Sequence, residues 1–535
     1  MKKLIITLTI ILLATGAIAQ QGLQQLRIND FSKGMNSFDR SDLIEPSQGA
    51  SMVNVVINRF GRLTKRKGQN LFNADVGSTA FRGLGRFDPD RTTSYMVAAS
   101  GTDVIASLSN ETTWRFLNAA SQLTAGKDTE FVQANDLLFV LNGFDNTSFW
   151  TGSTFQTADV YPSSPPSATT GAWLRNYLFL GGATTETDWV YFSNNLDPLT
   201  FDASDIIKIN TGDGQAIQRL IPYRLNELIV YKERSIFVLD IEGATLSGWT
   251  VQPISKVIGT PAPRSVVSLG NDQWFLSSEP VAIRSLQRTE FDKILVDIVS
   301  KPIQDIFEGT NTFGFSLNKT HMSKACAILF DNKYIIAIPT GTSTVNNTVL
   351  VFDFLTGGWY IIKGWYPSSW IEFNNRLFYT DANDGSVLEV FTGTIGDYAE
   401  GPETRTYGSE PTIGIEFVYV TKSLDFDKPE NFKILDALEV QFEPTGNYSV
   451  ETLINYDNDG WDLVGDTNLA GNSLTLSVTL PSALANGGVA RETFHTQKYN
   501  EFRAMQAMIR NRASQQTVEL HRMTLFSDPQ SWRRE

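Results

Sequence analysis

A motif that recurs along the middle of the chain limits its fold more than any other feature. A polar pair containing Asn or Asp precedes a short, strongly apolar run. It occurs at Asn135-Asp136 before residues 137–140, at Arg175-Asn176 before 177–180, and at Asn226-Glu227 before 228–231. Further copies are Asn271-Asp272 before 274–276, Asp331-Asn332 before 334–338 and Asn374-Asn375 before 377–379, with a weaker one at Asp88-Pro89-Asp90 before 95–98. Asn and Asp tolerate the left-handed backbone of a tight hairpin turn. The apolar run suits a strand covered on both faces. In the best copies a second element follows: Val238-Leu239-Asp240 leads to Gly248-Trp249, and Val351-Phe352-Asp353 to Gly358-Trp359. That step reads as a turn followed by an aromatic wedge between neighbouring sheets. The copies lie roughly 40–60 residues apart, the spacing of four-stranded propeller blades. The expectation is an all-β chain with a β-propeller of about seven blades over 75–395. Six or eight blades, or a large β-sandwich with coincidental hairpins, are the alternatives.

Beyond the repeats the texture changes. Residues 396–412 are turn-rich (Glu400-Gly401-Pro402, Glu410-Pro411) and read as a linker. Residues 438–443 and 474–480 alternate apolar and polar, which predicts strands with one face in a core and one in water. A turn at Tyr456-Asp457-Asn458-Asp459-Gly460-Trp461 separates them. A C-terminal β-sandwich over 413–535 is expected. No long amphipathic helix is evident; 301–307 fits one short helical turn.

Residues 20–74 form an N-terminal arm, with a hairpin expected from 53–57 and 62–65 across Asn58-Arg59-Phe60-Gly61. It carries Arg59, Arg62, Lys65, Arg66 and Lys67, and both a docking strip for an acidic neighbour and a solvated strand face fit this run. Ahead of it, Lys2 and Lys3, an apolar run over 4–13 and Ala17-Ile18-Ala19 have the order of a secretory signal peptide cut after Ala19. The run is short for a membrane span. An uncleaved buried segment or a later start are the other readings.

The net charge of −14 opposes non-specific binding to nucleic-acid phosphates, but not passage of DNA along a surface it does not grip. The single cysteine, Cys326, excludes an intrachain disulfide and a Cys-based metal site and reads as a small core residue. The three histidines are scattered without metal-ligand spacing, and neither His-Glu-x-x-His nor Gly-x-Ser-x-Gly occurs. Gly212-Asp213-Gly214 lacks the later glycine and lysine of a phosphate loop. Asp381-Ala382-Asn383-Asp384-Gly385 and Asp457-Asn458-Asp459-Gly460 loosely resemble calcium loops, but each lacks the distal glutamate and fits a hairpin turn. No repeated aspartate box is present. No catalytic, cofactor-binding or metal-binding residue is expected, although acidic residues are common enough to leave a propeller glycosidase in play.

The segment after the signal-like stretch holds an ordered set: Asp30-Phe31-Ser32-Lys33-Gly34-Met35-Asn36, Leu43-Ile44-Glu45-Pro46, Gly49-Ala50, Asn54-Val55 and the run from Gly61 to Gly68. This set resembles the start of tail hub, nozzle and packaged-DNA stabilisation proteins of short-tailed bacteriophages. Residues 381–390 resemble that family's blade hairpin. The stretches 421–426 with Lys433, and 518–521, resemble its C-terminal sandwich. The resemblance implies a structural virion protein, not an enzyme. It would be one subunit of a homo-oligomeric ring, commonly a hexamer, around the DNA channel. Other tail proteins would dock on its portal and adaptor side and on its fibre or needle side, and DNA would pass without specific binding. The motif residues implied in assembly are Phe31, Gly34, Asn36, Pro46, Asn54, Gly61, Lys65, Arg66 and Gly68. A signal-like N-terminus departs from that family. It fits instead an exported periplasmic or extracellular propeller that binds a protein or glycan, or a secreted carbohydrate-active enzyme.

Overall fold

A computed structural model describes residues 24–73, 81–108, 113–117, 123–156, 165–243, 246–288, 294–383, 386–393, 396–397, 413–470, 490–495, 501–513 and 515–529. The signal-like segment 1–19, residues 398–412 of the expected linker, the alternating run 474–480 and Asp384-Gly385 lie outside the described residues.

The described residues are all-β apart from short helical turns, among them Lys301–Ile303 and Gln304–Glu308 where a helical turn is expected. Each polar pair of the repeat sits in the turn between the first and second strands of a four-stranded antiparallel unit. Thus Glu130–Ala134 turns into Leu137–Leu141, Thr170–Leu174 into Tyr177–Gly181, and Pro367–Phe373 into Arg376–Asp381. The turn chemistry is as the residues require. Asn135, Arg175 and Asn176, Asp331 and Asn332, and Asn374 and Asn375 all have φ between 47° and 65°. At Asn271 the neighbouring Gly270 takes the positive φ instead.

Six of these units are separate four-stranded sheets, the blades of a β-propeller. Their innermost strands, together with Cys326–Phe330 of the remaining unit, follow one another around a centre. Phe81–Phe87 packs beside Glu130–Ala134, then come Thr170–Leu174 and Ile217–Pro222. The short helix Pro263–Ser265 bridges to the sheet of Val267–Ser268. Cys326–Phe330 and Pro367–Phe373 then lead back to Phe81–Phe87. The Gly-Trp steps are wedges. Trp249 packs on Tyr177, Phe179 and Phe192 of the preceding sheet. Trp359 meets Phe352 of its own unit and Trp274 of the preceding sheet.

The sheet starting at Pro367–Phe373 takes its outermost strand from far upstream: Val387–Val390 pairs with Gln69–Asn73. The propeller therefore begins at Gln69 and not at 75, and the two ends of its chain segment are hydrogen-bonded together. The boundary drawn after 74 failed because nothing within Gln69–Asn73 marks a partner so far along the chain.

The unit Cys326–Phe330, Lys333–Ile338, Thr348–Asp353 and Gly358–Lys363 does not stand alone. It forms one end of a nine-stranded sheet, because Gly358–Lys363 meets the arm strand Gly49–Val53. That strand continues the sheet into Phe417–Thr421, Met505–Asn511, Ser449–Tyr456 and Asp462–Asn468. A second large sheet, seven-stranded, combines Lys433–Phe442, Glu519–Pro529 and Ala490–His495 with Gln24–Ile28, Val55–Ile57 and Leu63–Lys65 of the arm. Both sheets feed one core, in which Leu438, Val440, Phe442 and Leu525 join Phe417, Tyr419, Ile454 and Ile509. The C-terminal region is thus not a self-contained unit: the arm supplies strands to both sheets. Alternation in Lys433–Phe442 is also incomplete. Glu439, placed on the water side by its pattern, is buried, because Arg491 and Arg522 cover its carboxylate. No helix among the described residues is long and apolar enough to cross a membrane.

Candidate functional site

Most of the motif residues converge on a buried junction between the arm, the nine-stranded sheet and the strand pair Gly396–Asp397 with Ile413–Gly414. Phe31 is fully buried, edge-on to Tyr419 at 5.2 Å, and its amide donates to the Gly61 carbonyl. Gly34 has φ of +69°, and a Cβ there would lie 2.6 Å from the Gly358 Cα. The neighbouring Met35 amide donates to the Trp359 carbonyl at 2.7 Å. Only a residue without a side chain allows this approach, which explains the glycine of the motif. Gly68 is placed likewise: a Cβ would lie 2.1 Å from the Gly396 oxygen.

Asn54 is a left-handed residue at the hairpin's edge, with φ of 55°. Its Nδ2 donates to the Glu416 carbonyl, while its Oδ1 accepts from Arg66 Nε and the Lys363 amide. Arg66 is the centre of the junction. Besides Asn54, its guanidinium donates to the carbonyls of Lys67 and Lys363 and, through both terminal nitrogens, to the Asp397 carboxylate. All five N–H donors are engaged. The guanidinium also lies over Trp365, 4.8 Å from the ring centroid. Arg66 and Asp397 are almost wholly shielded from solvent. Lys65, on the opposite side of the strand, donates to Asn511 Oδ1 at 2.8 Å and the Ala513 carbonyl at 2.9 Å. Burial, aided by the Arg66 charge, lowers its pKa to about 8.

Two motif residues stand apart. Asn36 is buried but acts locally, its side chain bonding Asp39 and its amide donating to Gly49. Pro46 is exposed. Neither reading of the hairpin's basic run, a docking strip or a solvated strand face, fits it as a whole. Lys65 and Arg66 are consumed inside, Arg62 pairs with Glu519, and only Arg59 and Lys67 are exposed. Sequence reading missed Asp397, which falls in the stretch read as linker, and Asn511. Trp365 follows Gly364, so the Gly-Trp step was available as its signal.

A second site lies at the propeller's centre, a cavity of about 530 Å³. Its lining comes from the starts of the innermost strands, so it opens on the face opposite the polar-pair turns. Arg264 crosses it: its guanidinium donates to the carbonyls of Ser368 at 3.1 Å, Thr129 at 3.4 Å and Arg82. One side chain thereby bolts three blades to a fourth. Deeper in, Glu130 pairs with Arg219. Burial raises the Glu130 pKa, opposed by Arg219 and by hydrogen bonds from Thr170 and Gly171. At the mouth Asp128 has Lys324 at 3.7 Å, Arg82 at 3.8 Å and Arg264 at 3.9 Å. Cys326 also faces this cavity; it is buried and its thiol is pushed up to about 12, which leaves it an inert thiol.

The other acidic turn seen whole is structural. Asp457 and Asn458 have positive φ, and the Asp457 carboxylate accepts from the Arg503 and Ala504 amides. Among the described residues no group of three His, Cys, Asp or Glu is placed to hold a metal ion.

The sequence matches no protein-family profile and no curated protein. Similar solved structures include the computationally designed Ika8 protein, with TM-score 0.37 and 11% identity over 60% of this chain and 99% of that one. YCF48 bound to D1 peptide gives 0.37 and 10%, over 59% and 94%. A chain of the mitotic checkpoint complex gives 0.38 and 8%, over 60% and 94%. At such scores these likenesses add nothing to the propeller read from the sheets, and nothing about function.

Proposed function

We propose that this chain is a non-catalytic structural subunit of a bacteriophage tail, of the hub or nozzle kind. In this reading it forms a homo-oligomeric ring around the DNA channel and docks other tail proteins. The meander Cys326–Phe330 to Gly358–Lys363 counts as a seventh blade, and the two large sheets as the sandwich. The observation that carries the reading is the junction. The residues on which the phage-tail resemblance rests, Phe31, Gly34, Asn54, Gly61, Lys65, Arg66 and Gly68, are those that tie the arm to the propeller and the C-terminal strands. The motif therefore describes an architecture, a propeller clasped to a second sheet body, and a resemblance in that motif is a resemblance in build. Exposed apolar residues at loop tips on the polar-pair face, Leu196, Leu225 and Leu355, add contact points for neighbours.

The test is fractionation of the source culture into phage particles, periplasm and cytoplasm, with the protein's first residues read by mass spectrometry. The reading expects the protein in particles, in a symmetric ring visible by electron microscopy. A processed chain starting at Gln20 in the periplasm, with none in particles, would replace it with an exported binding propeller.

A further inference from the structure

We propose that the mouth of the propeller's central cavity is a docking site for an acidic protein segment, which places a side-chain carboxylate among Arg82, Arg264 and Lys324. The inference stands whether or not the tail reading holds. Four cations gather here, Arg82, Arg219, Arg264 and Lys324, against two carboxylates, Asp128 and Glu130. In a chain of net charge −14 this is a local reversal of sign. A concave site with such an excess focuses an attractive field for anions.

The cations are also incompletely used. Glu130 is taken by Arg219. Asp128 is ringed by three cations at 3.7–3.9 Å, beyond hydrogen-bond reach. Arg264 spends its donors on carbonyls, whereas no hydrogen bond from the Arg82 or Lys324 side chain is found among the described residues. Both are partly open to solvent, with 37% and 44% of the side chain exposed. A second carboxylate would convert these long contacts into charge-assisted hydrogen bonds. Thr184 and Thr187, exposed on the rim, offer partners for the flanking peptide backbone. The cavity volume suits a side chain with a few backbone atoms and is far too small for a duplex.

The test titrates the full chain at low ionic strength with tetraglutamate, tetraglutamine and tripolyphosphate in a calorimeter. Tetraglutamate is expected to bind and tetraglutamine not. Lys324→Gln and Arg82→Gln should each weaken tetraglutamate binding several-fold, and together by about tenfold or more. Asp128→Asn should strengthen it. Neither cation's substitution removes a described hydrogen bond, so both variants should melt like the wild type. Absence of tetraglutamate binding, or binding that survives in the double variant, overturns the proposal. Tripolyphosphate binding tighter than tetraglutamate overturns the choice of an acidic peptide as the occupant.

Discussion

The buried junction and the cavity mouth use the same kinds of side chain, cations around a carboxylate, to opposite ends. At the junction Arg66 has every donor occupied, a carboxylate in bidentate contact and no solvent. At the mouth Arg82 and Lys324 surround one carboxylate at arm's length and remain half in water. Removing a charge from water is tolerable only where each of its hydrogen-bonding groups finds a partner. The saturated cluster therefore holds parts of one chain together. The unsaturated one keeps capacity for something outside it.

The comparison breaks first at Arg66. Arg66→Met leaves Asp397 as an unpaired buried carboxylate, and the denaturation midpoint should fall by the equivalent of about 3–5 kcal/mol. Arg66→Lys should rescue little, because an ammonium cannot reproduce the five-donor fork. A loss below about 1 kcal/mol would mean that the junction is not what ties the arm down.

Lys65 sharpens the point through pH. Its pKa is about 8 folded and near 10.5 unfolded, so between these values the unfolded chain binds the proton more strongly. Stability should then rise with pH across that window, by about 3 kcal/mol relative to Lys65→Gln, and stay level below pH 8. Parallel urea melts of the two proteins at several pH values read this directly. Parallel curves from pH 8 to 10.5 would contradict the burial of that ammonium.

Gly34→Ala is smaller but cleaner, since no charge changes. The left-handed φ alone costs about 1–2 kcal/mol, and the Cβ would press on the Gly358 backbone. Circular dichroism melts should show the loss, and Gly34→Ser should show the same. The smallest effects belong to the mouth. Lys324→Gln and Arg82→Gln should each change stability by less than about 0.5 kcal/mol, as exposed ion pairs do.

What the sequence made legible follows the range of the interactions. The repeat was readable because a tight turn demands positive φ within two residues, and Asn176, Asn332 and Asn375 meet that demand on the spot. The aromatic wedges were readable from Gly248-Trp249 and Gly358-Trp359 for the same local reason. Arg66 and Asp397 are 331 residues apart, and neither carries a local mark of the other. The passage of arm strands into distant sheets is equally silent, since nothing within Gly49–Val53 or Gln69–Asn73 marks a partner so far along the chain. That is why residues 20–74 were legible as a hairpin-bearing arm but not as the clasp of the whole molecule. The cavity had no signature at all: Arg82, Asp128, Arg264 and Lys324 come from separate units and meet only once the ring has closed.

One measurement separates a saturated from an unsaturated cluster most directly: thermal melting of the Arg82→Gln/Lys324→Gln double variant beside the wild type, with and without tetraglutamate. The account predicts equal melting temperatures without peptide, and a peptide-induced rise in the wild type that the variant lacks. A variant that melts several degrees lower by itself, or that gains as much from the peptide as the wild type, would contradict it.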